Sequence, residues 1–395
     1  MGKKENSQHV FIVGAKGIPA KYGGFETFVE MISKYNQDDF KLHVACMSDK
    51  SGEYEYNNAV CRQIKVPEIG SAKAVYYDCM ALEYFISYCK MHPEISQPVF
   101  YVLACRIGFR IGHYRREIHK IGGKLYINPD GNEWKRKKWS IPVRCYWKFS
   151  ERLMVKNADV LICDSINIEA YIKHEYTEYH PKTTFIPYGA EKICHIDQMR
   201  EEKLKEWLEK KNLIAGNYYL MVGRFVPENN YETVIREFLK SDSKRKLAIV
   251  TGENHRLRDQ ISRKTMYQED ERICFVGTVY DQELLQMIRE NAFAYIHGHE
   301  VGGTNPSLLE AMLCTNMNLL LNVVFNHEVG SDAALYWDKK EGNLGQLISF
   351  TESMSEEERT IMGEKARKRI QEHYDWRKIV DAYRDFFAAD LEQRL

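Results

Sequence analysis

The feature that most constrains this chain is a series of short apolar runs that do not alternate with polar residues. HVFIV, KLHVAC, RQIKV, PVFYVLA, KLYI, ADVLIC and TTFIP occupy the first half, and YYLMV, KLAIV, RICFV, AFAYI and NLLLN the second. A strand apolar on both faces must be covered on both faces, and the stretches between these runs have helical period, as parallel crossovers require. The pattern predicts an α/β fold, a doubly wound parallel sheet occurring twice.

A boundary is expected near FIPYGAEK, because the charged helical segment DQMREEKLKEWLEKKNL precedes the new strand at Tyr218. This gives a first domain over 1–188, a second over 189–375, and a terminal helix over 376–395 that packs back on the first. With 395 residues, 44% of them hydrophobic, there is material for two ordinary cores. No apolar run approaches the roughly 20 residues of a membrane span, and MGKKENSQ lacks the apolar core of a signal peptide, which reads as cytosolic. The ten cysteines are scattered singly, with no C-x-x-C pair, and are expected as buried thiols.

Net charge is zero, but residues 1–188 hold 27 basic against 21 acidic side chains. The excess is concentrated over residues 135–156, where eight basic residues face one acid, Glu151. A basic patch of this kind suits an anionic membrane or a phosphate-bearing partner; no groove-reading motif for nucleic acid is present.

Three strand-end loops carry chemistry. In GAKGIPAKYGGFETFVE, residues 14–30, the first strand runs into a loop with Gly23 and Gly24 before a helix near Phe25. Backbone approach at paired glycines and free helix amides favour a diphosphate, and a tight turn set by Pro19 is the competing reading. In YLMVGRFVPENN, residues 219–230, a strand delivers Gly223 and Arg224; the Arg can neutralise a phosphate or pair with Glu228 at the surface. In AYIHGHEVGGTNPSLLEAM, residues 294–312, a strand ends in a Gly-rich loop and Pro306 suits a first helical turn. Thr304, Asn305 and the amides after them then form an anion-binding helix start, with Glu310 about one turn on, placed for a sugar hydroxyl. His297 and His299 lack a nearby third metal ligand.

A further stretch, YINPDGNEWKRKKWSIPVRCYWKF, places Asp130 and Gly131 after a strand, where the carboxylate can bind or orient a ligand hydroxyl or simply make a turn. Glu133, Trp134, Lys135, Arg136 and Trp139 follow, then Tyr146, Trp147 and Phe149. Amphipathic rings beside cations suit a membrane interface, and a packed, partly solvated helix explains the same pattern. Arg106, Arg110, Arg115 and Arg116 add basic character to this domain.

Taken together, GAKGIPAKYGGFETFVE, NPDGNEWKRKKW, VGRFVPENN, FVGTVYDQELL and HGHEVGGTNPSLLEA resemble retaining GT-B glycosyltransferases of family 4, and more closely the β-1,4-rhamnosyltransferases that begin streptococcal cell-wall and capsule polysaccharides. The resemblance runs over most of the chain. It implies two Rossmann-like domains facing a cleft, with Gly23 and Gly24 approaching a donor diphosphate from one side. Arg224 and residues 302–305 would hold it from the other, Glu310 would contact the nucleotide sugar, and Val279 or Tyr280 would lie near the base. Two departures from the broad family are visible: the acid usual eight positions before the helical Glu is replaced by Gly302, and no Lys follows Arg224 in the loop.

The resemblance implies transfer of L-rhamnose from dTDP-β-L-rhamnose to an undecaprenyl-diphosphate-linked GlcNAc or Glc, with retention, with no metal or other cofactor. Asp130, Arg224 and Glu310 are the catalytic candidates, and the location implied is the cytoplasmic face of the plasma membrane. A UDP-hexose donor, an NDP-sugar epimerase of the same fold and a silent assembly scaffold are the competing readings.

Overall fold

In the computed structural model, residues 8–20, 23–37, 39–193 and 198–392 are described. Residues 1–7, on which the signal-peptide reading rests, Lys21 and Tyr22 of the first loop, and Cys194 lie outside the described residues. Backbone contacts group residues 1–135, 139–188 and 376–395 into one unit, and Arg136–Lys138 with Gly189–Asp375 into a second.

The first unit runs β1 (Gln8–Val13), α1 (Gly24–Tyr35), β2 (Phe40–Ser48), β3 (Gly52–Tyr56), β4 (Ala59–Lys65), α2 (Lys73–Met91), β5 (Val99–Leu103), α3 (Gly108–Lys120), β6 (Lys124–Asn128), α4 (Ile141–Asn157), β7 (Val160–Cys163), α5 (Ile166–Glu175) and β8 (Thr183–Phe185). Its eight strands lie in the order β3-β4-β2-β1-β5-β6-β7-β8, and only β3 is antiparallel to its neighbour. The apolar runs identified in the sequence are these strands. The exception is β3, whose sequence GEYEY alternates like a half-solvated edge and was not among them.

The winding reverses between β1 and β5, so the loops after these two strands flank a switch point. The β1 loop is braced from below. The Arg106 Nη1 donates to Gly14 O at 2.9 Å and pairs with the fully buried Asp78 at 3.0 Å, while Tyr77 Oη donates to Ala15 O at 2.9 Å. Burial raises the Asp78 carboxyl to about 6 despite the opposing pull of Arg106. Arg106 is thus an internal brace, and Arg110 and Arg115 are paired with Glu83 (2.8 Å) and Asp159 (3.1 Å). The basic surface expected from this segment is therefore reduced, because most of its cations already face carboxylates.

The second unit runs α6 (Gln198–Lys210), β9 (Tyr218–Val222), α7 (Tyr231–Leu239), β10 (Lys246–Val250), α8 (His255–Thr265), β11 (Ile273–Gly277), α9 (Gln282–Glu290), β12 (Ala294–His297), α10 (Pro306–Cys314), β13 (Asn318–Leu321), α11 (Val324–Gly330), β14 (Leu335–Trp337), α12 (Asn343–Ser353) and α13 (Glu356–His373). The six strands are all parallel, in the order β11-β10-β9-β12-β13-β14. Here the reversal falls between β9 and β12, with Tyr219 opposite both Leu247 and Ala294. Tyr219, Met221, Ile249 and Ile296 are buried in one core with Val234 and Phe238 of α7, which explains why these strands read as continuous apolar runs.

The last helix, α14 (Trp376–Glu392), belongs to the first unit. Its buried Trp376, Val380, Tyr383 and Phe387 recur at helical spacing. Phe28 of α1 packs on the Tyr383 ring at 5.4 Å, Phe40 on Phe387 at 5.3 Å, and Tyr383 Oη meets Tyr101 Oη at 3.1 Å. No described helix is long and apolar enough to cross a membrane.

Two stability predictions follow from the first unit. Arg106→Met leaves Asp78 buried without its partner and is expected to cost ~3–5 kcal/mol near neutral pH, measured by urea denaturation. The Asp78 pKa is raised on folding, so ionised Asp78 opposes folding increasingly as pH rises past the ordinary carboxyl range; the loss should therefore shrink from pH 8 to pH 5, and a pH-independent loss would refute the assignment. Gly23 has φ of 130°, and a Cβ there would lie 1.9 Å from Glu26 Oε2. Gly23→Ala should lower stability by ~1–3 kcal/mol in the same assay.

Candidate functional site

The second unit brings two loops together where its sheet reverses. The first leaves β9 through Gly223 and Arg224. Gly223 O accepts from Tyr231 Oη at 2.9 Å and Thr251 Oγ1 at 2.7 Å, so the chain turns at a fixed point. A Cβ on Gly223 would stand 2.8 Å from Cε1 of His299, and one on Gly298 would stand 2.4 Å from Asn229 O. Only glycine lets the two loops approach this closely. Asn230, with φ of 58°, donates through Nδ2 to Gly298 O at 2.8 Å, and Glu300 N donates to Glu228 O at 3.0 Å.

Within this arrangement the Arg224 guanidinium is exposed and has no ion-pair partner among the described residues. The surface pair with Glu228 that the sequence allows does not form, because Glu228 is buried while Arg224 points out. Across from it, the amides of Val301, Gly302 and Gly303 have no backbone acceptor among the described residues. Glu300 is held by Lys339 at 2.6 Å; burial works to raise its pKa, and Lys339, Lys137 and Asn230 together bring it below the usual carboxylate range.

The start of α10 departs from expectation. Asn305 Oδ1 accepts from Ser307 N at 3.0 Å and Leu308 N at 3.3 Å, so the helix is capped by its own side chain and those two amides are already engaged. What remains for an anion is the glycine loop ahead of the cap. Thr304 is buried beside it. Glu310 is likewise not a lone acid: Arg289 of α9, almost wholly buried, pairs with it at 2.5 Å. Its second oxygen is what a hydroxyl would have to use. Arg289 also lies 3.5 Å from Ser307 Oγ, which is 3.1 Å from Tyr295 Oη.

His297 and His299 stack face to face with ring centroids 4.3 Å apart. Burial lowers His297 to about 3, and burial, His297 and the nearby Arg224 and Arg136 hold His299 well below the ordinary histidine range, so both rings are neutral at physiological pH. No group of three or more His, Cys, Asp or Glu side chains suited to a metal ion occurs among the described residues. Val279 is half-buried and Tyr280 is 69% exposed in the loop after β11, the edge strand beyond β10.

In the first unit the α1 N-terminus, where Gly23 and Gly24 sit, faces an internal carboxylate. Glu26 turns back toward Gly23 and accepts from Lys16 N at 2.8 Å. A carboxylate at a helix start occupies the place an anion would take. Asp130 has φ of 60°; its amide donates to Asn128 Oδ1 and its own Oδ1 accepts from Gly131 N, both at 2.8 Å. The turn reading is therefore realised, with Asp130 Oδ2 still available.

The residues after Asp130 divide. Trp139 Nε1 donates to Glu133 Oε1 at 2.8 Å, and Trp134 lies under Lys148 (4.7 Å) and Lys135 (5.1 Å), so the tryptophans are packed within the unit. Arg136 is buried and falls with the second unit, 4.0 Å from Glu228. It is not a surface cation. Sequence reasoning gave no role to Asn230 or Arg289, and read Glu228 only as a surface partner of Arg224 and His299 only with His297 as a weak metal pair; Asn230 carried a signal, since Asn is among the residues that tolerate positive φ before a helix.

A family described as a domain of unknown function (DUF1972) matches residues 7–191. An uncharacterized glycosyltransferase of Methanocaldococcus jannaschii is 23% identical over 386 residues, spanning 92% of this chain and 94% of that protein. Among solved structures, sucrose-phosphate synthase from Thermosynechococcus elongatus superposes with a TM-score of 0.76 at 18% identity, covering 97% of this chain and all of that one. Anabaena HepE in complex with UDP superposes at 0.68 with 12% identity, covering 97% and 100%. The chain therefore has the α/β fold of GT-B glycosyltransferase structures, two units each built on a mainly parallel sheet.

Proposed function

We propose that this chain is a glycosyltransferase that takes a nucleoside-diphosphate sugar as donor. The observation that carries the reading is the exposed Arg224 at the carboxyl end of β9, without an ion-pair partner among the described residues, on the loop that Asn230 ties to Gly298 ahead of residues 301–303, whose amides have no backbone acceptor among the described residues. A forked cation and amides left open suit the two negative charges of a diphosphate. In glycosyl transfer the bond from the anomeric carbon to the diphosphate oxygen breaks, and negative charge grows on the leaving group. Stabilising that charge is then a main contribution to rate. A bond forms to the acceptor hydroxyl oxygen on the same face, and its proton passes to the departing phosphate, so no protein nucleophile is required. Asp130 orients the acceptor hydroxyl through Oδ2, and Glu310 contacts the sugar through the oxygen that Arg289 leaves open.

The finer assignment rests on the motifs quoted above: L-rhamnose from dTDP-β-L-rhamnose, a GlcNAc or Glc on undecaprenyl diphosphate, retention of configuration, and no metal. A peripheral position on the inner face of the plasma membrane fits the outer side of α4. There Ile141 (74% exposed), Cys145 and Phe149 (56%) recur every four residues, with Phe109 (55%) on the adjoining α3. Apolar side chains presented in this way among Lys and Arg suit an anionic headgroup layer. A UDP-hexose donor is the second reading, favoured by the UDP bound to Anabaena HepE.

Purified protein offered dTDP-L-rhamnose or UDP-glucose against lipid-diphosphate GlcNAc and Glc should yield a β-linked rhamnoside, read by product mass and anomeric NMR. Product from UDP-glucose alone would sink the rhamnose assignment, and sugar-nucleotide turnover without acceptor would point to an epimerase. Arg224→Ala should reduce kcat by ~10²–10³-fold with the fold intact by circular dichroism. An unchanged rate would remove Arg224 from the mechanism.

A further inference from the structure

The loop after β9 carries a carboxylate with nothing to bind. Glu228 is fully buried, and neither Oε1 nor Oε2 has a hydrogen-bond partner among the described residues. Its nearest cation, Arg136 Nη1, stands 4.0 Å away, beyond hydrogen-bond reach. Leaving a buried carboxylate without donors is costly, so a chain that holds one in place implies donors that arrive from elsewhere. The other acids of this region have partners: Glu300 pairs with Lys339, and Glu310 pairs with Arg289 through one oxygen and keeps the other for the contact given above.

The Glu228 backbone is fixed. Its carbonyl accepts from Glu300 N at 3.0 Å and from Asn230 Nδ2 at 3.3 Å, which seats it against the Gly-rich loop. Arg136 and Arg224 both act electrostatically on His299, so the Glu228–Arg136 pair belongs to the same charge cluster as the arginine assigned to the diphosphate. The chemistry of the missing donors is limited. A phosphate offers no donors and would be repelled, whereas neighbouring hydroxyls of a pyranose offer two O–H groups at the spacing of a carboxylate's two oxygens. The Gly-rich loop supplies no acid between Val301 and Asn305, and beside Gly302 the space where a side chain would start is empty within 4 Å.

We propose that Glu228 binds the sugar of the donor, accepting hydrogen bonds from two adjacent hydroxyls, with Arg136 orienting the carboxylate. This rests on the donor reading above and makes Glu228 a determinant of sugar specificity. Diphosphate affinity resides on Arg224 and the glycine loop, and sugar recognition is shared between Glu310 and the same β9 loop four residues after Arg224.

The test is calorimetric titration of the full-length protein with UDP, dTDP, UDP-glucose and dTDP-L-rhamnose. It compares wild type with Glu228→Gln and Glu228→Asp, with thermal unfolding run on each. Glu228→Gln should weaken whichever sugar nucleotide the wild type prefers by about tenfold while leaving the matching free diphosphate unchanged, and Glu228→Asp should recover part of the loss. Equal weakening of diphosphate and sugar nucleotide, or no weakening of either, overturns the role of Glu228 while leaving the donor site standing. Wild type that binds none of the four ligands overturns the donor reading itself and this inference with it.

Discussion

Each unit depends on holding two strand-end loops at close quarters where a parallel sheet reverses its winding. Parallel strands release their loops at one edge, and adjacent strands whose crossovers leave in opposite directions open a gap there. A gap lined by bare backbone is stable only if its carbonyls find donors. In the first unit Arg106 and Tyr77 supply them to Gly14 and Ala15; in the second Asn230, Tyr231 and Thr251 supply them to Gly298 and Gly223. The glycines matter because a Cβ at 223 or 298 would overlap the opposite loop.

The charges near these gaps divide into two groups by burial. Arg106 with Asp78 and Arg289 with Glu310 are internal pairs in which a buried member has its counter-charge, and they hold architecture. Arg224 and Glu228 are four residues apart on one loop and are the opposite case. Among the described residues the first is exposed without a counter-charge, and the second is buried without a donor. Complementary ligand groups, an anion for one and hydroxyls for the other, are joined in a single nucleoside-diphosphate sugar. The capping of α10 by Asn305 sharpens this division, since it confines the available amides to the glycine loop.

Much of the architecture was legible because it rests on burial. Strands covered on both faces must be apolar at every position, so runs such as YYLMV and KLAIV announced β9 and β10 directly. The strand β3 was not legible, since an edge strand of sequence GEYEY alternates with glutamates and resembles a polar turn. The three-residue β14 was too short for any period to register. Arg224 stood out because a strand leading into Gly-Arg has few structural purposes. Glu228, in a Pro-Glu-Asn-Asn stretch, looked like a solvated loop acid, and nothing local distinguishes it from one.

Most of the order of secondary elements, two mainly parallel sheets and the loops that carry Gly223, Arg224 and the glycine run were legible in the sequence alone, β3 and β14 excepted, because periodicity and backbone freedom are local properties. Which polar side chains remain open to a ligand was decided only by tertiary structure. Glu310 meets Arg289 and Glu26 turns onto its own helix start, while Asn305 caps α10 and Glu228 is buried without a donor. Each outcome depends on a group brought in from another segment or on a side chain folding back. Pairing energies of this kind act over a few ångströms of space, and adjacency in space at these sites is set by the sheet order and not by distance along the chain.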